Sequence, residues 1–152
     1  MRPEESLLNR INKDLKKAMK EKDAVRLSCL RMLKTAIKRL QVEKTRELKD
    51  DEIVGIIQSL IKKGKEAVED FKKGGRNDLA EKEEKEIGIF YEYLPKQLTF
   101  QEMEKIVQEV ISELKATSIK DLGKVMKKAM ARIGGRAQGK DVSEVAKRLL
   151  SN

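Results

Sequence analysis

The sequence predicts an all-α protein: an N-terminal bundle of about four helices over residues 1–94, followed by a smaller C-terminal three-helix domain over residues 95–152. Three observations carry this expectation. The dominant residues are Ala, Glu, Lys, Leu and Arg, the strong helix formers. Apolar residues recur at three- and four-residue spacing nearly throughout, the mark of one buried helix face. No segment sustains the period-two alternation of a half-buried strand.

The elements follow in order. Leu8, Ile11, Leu15 and Met19 form a first stripe. Asp23 offers a cap for a second helix, since its carboxylate can accept from the orphan N–H groups of a first turn. That helix carries Leu27, Leu30, Leu33, Ile37 and Leu40. After a charged turn over residues 45–49, Asp50 can cap a third helix with Ile53, Ile57, Leu60, Ile61, Val68 and Phe71 inward. Gly74 and Gly75 end it. A fourth helix is expected from about Asn77 to Leu94, with Leu79, Ile87, Phe90 and Leu94 facing the core.

Pro95 breaks the pattern, because it disfavours helical geometry at Leu94. It marks the expected division of the chain, with Tyr91 and Tyr93 packing at the junction. Thr99 and Glu102 form a capping-box pattern opening a helix with Met103, Ile106, Val107, Val110, Ile111 and Leu114. Ser118 is the next cap, before a helix with Leu122, Val125, Met126, Met130 and Ile133. Gly134 and Gly135 stop it, and Asp141 with Glu144 opens a short last helix bearing Val142, Val145 and Leu149.

A chain of 152 residues suits one compact domain or two small ones. At that length roughly 70% of the unfolded surface can be buried, so no disulfide or metal is needed. The core must be aliphatic, because Trp is absent and Phe and Tyr together number five. The chain has no histidine, which excludes His-assisted triads, His general acid/base chemistry and His metal ligands. The one cysteine, Cys29, lies in an apolar helical stretch and reads as a buried free thiol. The carboxylates Glu83, Glu84 and Glu86 read as solvated Lys/Glu helix surface. No catalytic site, cofactor or metal is expected. No stretch approaches the ~18 consecutive apolar residues of a membrane span, and the first residues show no signal-type apolar run. The expectation is a soluble cytoplasmic protein with no membrane partner.

The net charge is +9, which favours anionic partners. Residues 1–94 hold 23 basic and 19 acidic groups, and residues 95–152 hold 12 and 7, so the smaller part is the more basic for its length. On the sixth helix Lys120, Lys124, Lys127 and Lys128 fall opposite the apolar stripe, with Arg132 at the flank. Such a face either is ordinary solvated surface or contacts phosphates. In the following loop, glycines 134, 135 and 139 permit tight turns, and Arg136 offers a planar fork for phosphate. Lys140 sits just before an expected helix N-terminus, where backbone N–H groups favour anions. The loop is not a P-loop, since Asp141 follows Lys140 where Ser or Thr would be needed. A second basic stripe, Arg31, Lys34 and Lys38, lies beside the apolar face of the second helix. The candidate nucleic-acid-binding residues are Lys124, Lys128, Arg132, Arg136 and Lys140.

Several ordered motifs resemble the YqeY family. They are Arg31-Met32-Leu33-Lys34, the stretch from Gly75 through Ala80 with Glu83 and Glu86, Tyr93-Leu94-Pro95 with Gln97-Leu98, Asp121 through Met126, and Gly135-Arg136-Ala137 with Gly139-Lys140. The family's loop usually reads Gly-Arg-Ala-Asp-Gly. Here Gln138 stands in the Asp place, keeping hydrogen-bonding capacity and losing the charge. The family is similar to the C-terminal helical and tail regions of GatB, a subunit of the glutamine-dependent tRNA amidotransferase. The resemblance implies a non-catalytic tRNA-binding or tRNA-amidotransferase-related accessory protein. Its expected partners are tRNA, aminoacyl-tRNA or a translation-related protein complex. It also implies, by association with GatB, the label carbon–nitrogen ligase with glutamine as amido-N-donor. The alternative is a protein–protein interaction adaptor with no specific RNA binding.

Overall fold

A computed structural model describes residues 5–151. Among them, seven α-helices and two 3-10 turns are present and no strand. The protein is all-α. It divides between Leu94 and Pro95 into two compact units, each with its own apolar core.

The first unit holds α1 (Leu7–Glu21), α2 (Ala24–Lys44), α3 (Asp50–Lys73) and α4 (Asn77–Tyr91). Ser6 caps α1 by accepting from Asn9 N at 3.2 Å, and Asp23 caps α2 by accepting from Arg26 N at 3.2 Å. The buried face of α1 is Leu7, Ile11 and Ala18, while Met19 is 54% exposed. The expected first stripe is therefore rotated by about one residue. Leu8 and Leu15 lie half-buried at its edge. In α2 the face centres on Cys29, Leu30, Leu33 and Ile37, and in α3 on Ile53, Ile57 and Ile61. Each such buried aliphatic side chain contributes about 1.5–3 kcal/mol relative to exposure.

Asp50 does not cap α3 as expected. It is the first residue of that helix, and its Oδ1 accepts from Leu7 N at 3.2 Å, an orphan donor of α1. The start of α3 is instead closed by Glu52, whose Oε1 accepts from Lys49 N at 3.0 Å. The C-terminal end of α3 uses Gly75 at φ +73°, a left-handed conformation that glycine adopts without steric cost.

Helices α3 and α4 pack closely at Gly64, where a Cβ would meet Ile87 Cγ1 at 2.9 Å. The α4 helix ends three residues before the expected Leu94. The N–H groups of Glu92, Tyr93 and Leu94 donate to Ile89 O, Phe90 O and Tyr91 O at 3.1 Å each, a tightened turn leading to Pro95. Tyr93 is buried in the first unit's own core, and its hydroxyl donates to Asp14 Oδ2 at 2.5 Å. Burial first, and then the Asp14 carboxylate, push the phenol well above its ordinary pKa. The Arg10 guanidinium lies 4.7 Å over the same ring. Glu86 departs from the expected solvated surface: it is buried at 7% exposure. Glu83 beside it is half-buried, and burial raises its carboxyl pKa, with Glu86 adding to the effect.

The second unit holds α5 (Phe100–Leu114), α6 (Leu122–Ile133) and α7 (Gly139–Leu150). The Thr99/Glu102 capping box is present: Glu102 N donates to Thr99 Oγ1 at 3.2 Å, and Thr99 N donates to Glu102 Oε1 at 3.0 Å. Met103, Val107 and Val110 of α5 meet Val125, Ala129 and Ile133 of α6 and Val142, Val145 and Ala146 of α7 in one core. The segment before α5 is tied to the α6–α7 connection. Leu98 N donates to Arg136 O at 2.8 Å, and Gln97 Nε2 donates to Gly135 O at 2.9 Å.

Candidate binding face of the C-terminal unit

Val125, Ala129 and Ile133 turn one side of α6 into the core, so the lysines between them fall on the outer side. Lys124 and Lys127 are exposed there, and Lys128 is half-buried. The face is not a free row of cations. Lys128 Nζ lies 2.8 Å from Glu113 Oε2 on α5. Arg132 Nη2 lies 2.8 Å from the same oxygen, and its Nη1 lies 3.8 Å from Glu109 Oε2. The Arg132 guanidinium, followed by the Lys128 ammonium, lowers the Glu113 carboxyl pKa to about 2.

Arg136 is also engaged. Its Nε donates to Ile133 O at 3.0 Å and its Nη2 to Arg132 O at 3.0 Å. A guanidinium folded back on the last carbonyls of a helix satisfies orphan acceptors and complements the negative end of the helix dipole. Arg136 thus acts as a C-terminal cap of α6, followed by the turn over Gly134–Arg136. Gly134 takes the positive φ of +61° that this turn requires.

Lys140 lies within the first turn of α7 rather than before it, because the helix starts at Gly139. Lys124 and Lys140 make no side-chain hydrogen bond or ion pair among the described residues. Lys124 adds to the field at Asp121, whose carboxyl is held below the ordinary range mainly by the N–H groups of Thr117 and Ser118. Of the five candidate cations, the structure brings Lys128 and Arg132 together on Glu113, spends Arg136 on the helix end, and leaves Lys124 and Lys140 at opposite ends of the stretch. Glu109 and Glu113 set the charge of this face and were not among the candidates. Their i, i+4 spacing on α5 matches that of Lys128 and Arg132 on α6, which is the sequence signal for the pairing.

Gln138 occupies the N-cap position of α7 with extended backbone, at φ −78° and ψ 141°. It makes no capping hydrogen bond, and its Nε2 is buried without a partner. The neutral amide thus leaves the N-terminus of α7 without a side-chain cap. A further hollow, of about 460 Å³, lies between α5 and α7. Phe100, Met103 and Val145 give it apolar walls, and Asp141, Glu144 and Arg148 also line it. Arg148 stands 5.0 Å over the Phe100 ring and pairs with Glu104 at 2.7 Å.

Chemistry elsewhere is limited by the same geometry. Burial first, and then Glu86, push the Cys29 thiol up to about 12, so the nucleophilic thiolate is scarce at neutral pH. Among the described residues no three His, Cys, Asp or Glu side chains are grouped to hold a metal ion. No helix of the described residues is long and apolar enough to cross a membrane.

Fold and face together define an all-helical protein of two units, with a lysine- and arginine-bearing helix in the second. The chain belongs to the Yqey-like protein family, whose sequence profile it matches over residues 8–150. It is 34% identical over 111 residues to "Altered inheritance of mitochondria protein 41, mitochondrial" from Lachancea thermotolerans, covering 71% of this chain and 59% of that protein. The protein of the same name from Vanderwaltozyma polyspora is 33% identical over 109 residues, covering 69% and 58%. That from Pyrenophora tritici-repentis is 30% identical over 139 residues, covering 89% and 75%. The chain thus spans under two thirds of the length of the first two relatives.

These relatives correct two expectations. The accessory role in tRNA amidation, with its ligase label, is not what the relatives are named for; all three names refer to the inheritance of mitochondria. The expected cytoplasmic location is overturned by the same names, each of which ends in "mitochondrial". The physical ground for the first expectation is weaker too. The basic face that suggested an RNA contact is partly neutralised by Glu109 and Glu113.

Proposed function

We propose that this chain is a non-catalytic protein serving the process for which its relatives are named, the inheritance of mitochondria, and that it acts there by binding. The observation that carries the reading is the shared name of relatives about one third identical over 69% or more of this chain. Two features of the molecule support a binding role over chemistry. The chain lacks histidine, and its single thiol is buried with a pKa raised to about 12. Its distinctive surfaces are charged helix faces and shallow hollows between helices, which suit recognition of another macromolecule.

The test is rescue. A Lachancea thermotolerans strain lacking its own relative receives this chain behind a mitochondrial leader, and mitochondrial inheritance in daughter cells is scored. Restored inheritance is the expected result. Failure of this chain in cells where the yeast's own protein rescues would overturn the proposal.

A further inference from the structure

Helices α1 and α2 of the first unit leave a groove between them, one of the hollows on which the proposed binding role rests. It encloses about 330 Å³. Leu8 and Ile37 give it an apolar floor, and Asn12, Lys34, Lys38 and Gln41 supply polar walls. The groove continues along α2 through Lys38 and Gln41 into a second hollow reaching Val42 and Thr45. From Lys34 to Thr45 the helix advances about 16 Å at ~1.5 Å per residue. Val42 on this path is 69% exposed, an apolar side chain left in solvent.

Three properties of the groove converge. Lys34 and Lys38, one helical turn apart, make no ion pair or side-chain hydrogen bond among the described residues. This separates them from Lys128 of α6, which is paired on Glu113. It also separates them from Arg46 at the far end of the path, which is held by Glu52 at 2.8 Å. Secondly, the Oδ1 of Asn12 is buried with no donor. A buried acceptor without a partner is unfavourable, so a ligand that draws the amide outward and supplies a donor is favoured. Thirdly, the floor is aliphatic and no aromatic ring lines it.

We propose that this groove seats an acidic, partly apolar peptide segment of a protein partner. Such a segment matches all three properties at once. Its Asp or Glu carboxylates pair with Lys34 and Lys38. A backbone N–H supplies the donor that Asn12 lacks once the amide turns toward it. Apolar side chains cover Leu8, Ile37 and Val42. A nucleic acid fits less well, since only two unpaired cations are present and no ring is available to stack a base. Glu47 beside the second hollow would repel phosphates and bounds the acidic stretch at that end.

The experiment is fluorescence anisotropy on the full chain with a fluorescein-labelled peptide of alternating Glu and Leu. A Lys–Leu peptide, a single-stranded RNA oligonucleotide and phosphatidylglycerol vesicles are run in parallel. The expected result is saturable binding of the Glu–Leu peptide that weakens as salt is raised. The Lys34→Gln/Lys38→Gln double variant should bind it about 5- to 10-fold more weakly, consistent with two exposed ion pairs lost. Asn12→Asp, which adds a negative charge and leaves both lysines in place, should weaken it as well. Circular dichroism confirms that each variant keeps its helices. Equal affinity of the double variant, no saturable peptide binding, or lysine-dependent binding of the RNA or vesicles in place of the peptide would overturn the assignment. Peptide binding is read on purified protein and mitochondrial rescue in cells, so either proposal can fail without the other.

Discussion

Replacing Gln138 by Asp should stabilise the C-terminal unit. Gln138 stands at the N-cap of α7 in the extended conformation that a capping residue adopts. Its backbone carbonyl already accepts from Asp141 N at 3.1 Å and Val142 N at 3.2 Å. Its side chain contributes nothing to the cap, and its Nε2 is buried without a partner. A shorter carboxylate can accept from a first-turn N–H, a bond worth about 1 kcal/mol at an N-cap. The positive end of the helix dipole adds about 0.3–1 kcal/mol. Repulsion from Asp141 in the same turn subtracts a few tenths, about the size of a like-charge pair on a helix. The net expectation for Gln138→Asp is a gain of about 1 kcal/mol, or about 4–8 °C for a unit of this size. Thermal unfolding of the full chain measures it, and amide exchange at Val142 and Val145 assigns it to α7. Gln138→Ala should stay within about 0.5 kcal/mol of the parent, because no capping bond is lost. The gain depends on the charged carboxylate, whose folded pKa the cap depresses. It is therefore fully present above the ordinary Asp pKa of about 4 and is lost as pH falls through the lower folded value. An Asp variant no more stable than the parent at pH 7 would refute the capping argument.

Four other outcomes follow from the geometry. Gly55→Ala on α3, where an added Cβ meets nothing within 4 Å, should stabilise by about 0.5–1 kcal/mol. Gly64→Val on the same helix should destabilise by about 1–3 kcal/mol, because its Cβ would stand 2.9 Å from Ile87 Cγ1. Denaturant unfolding compares the two. The Glu113 carboxyl should titrate near 2 by carbon NMR, and the Lys128→Ala/Arg132→Ala variant should return it toward the ordinary range. Since the folded pKa is depressed, the stabilising effect of this ion-pair cluster is present above the ordinary Glu pKa and is lost as pH falls toward 2. Cys29 should resist iodoacetamide at pH 8 in the native protein and react once the chain is unfolded, as read by mass spectrometry.

Much of the helical architecture was legible because an aliphatic core imposes a three-to-four residue period on every helix. The caps at Asp23 and Thr99 were legible for the same local reason, since side chain and helix start lie within three residues. What escaped was set by partners distant in sequence. Asp50 reads as a cap but serves Leu7, 43 residues away. The closeness of α3 and α4 at Gly64 depends on Ile87 and has no local signature. Helices α1, α2 and α5 are followed by the C-caps Lys22, Thr45 and Lys115, each with positive φ, where no glycine announces the stop. On the candidate face, α6 alone shows lysines and arginines opposite an apolar stripe. The neutralising Glu109 and Glu113 lie on α5, and only packing of the two helices reveals them. The position of Gln138 was legible as a departure, while its consequence needed the cap geometry.

The most direct measurement is the fraction of daughter cells that inherit mitochondria in Lachancea thermotolerans lacking its own relative. Strains carrying the restored yeast protein, this chain with a mitochondrial leader, or no replacement are scored side by side. The proposed function requires this chain to match the restored strain. Daughter cells indistinguishable from the strain with no replacement, with this chain folded and present in the mitochondria, would contradict it.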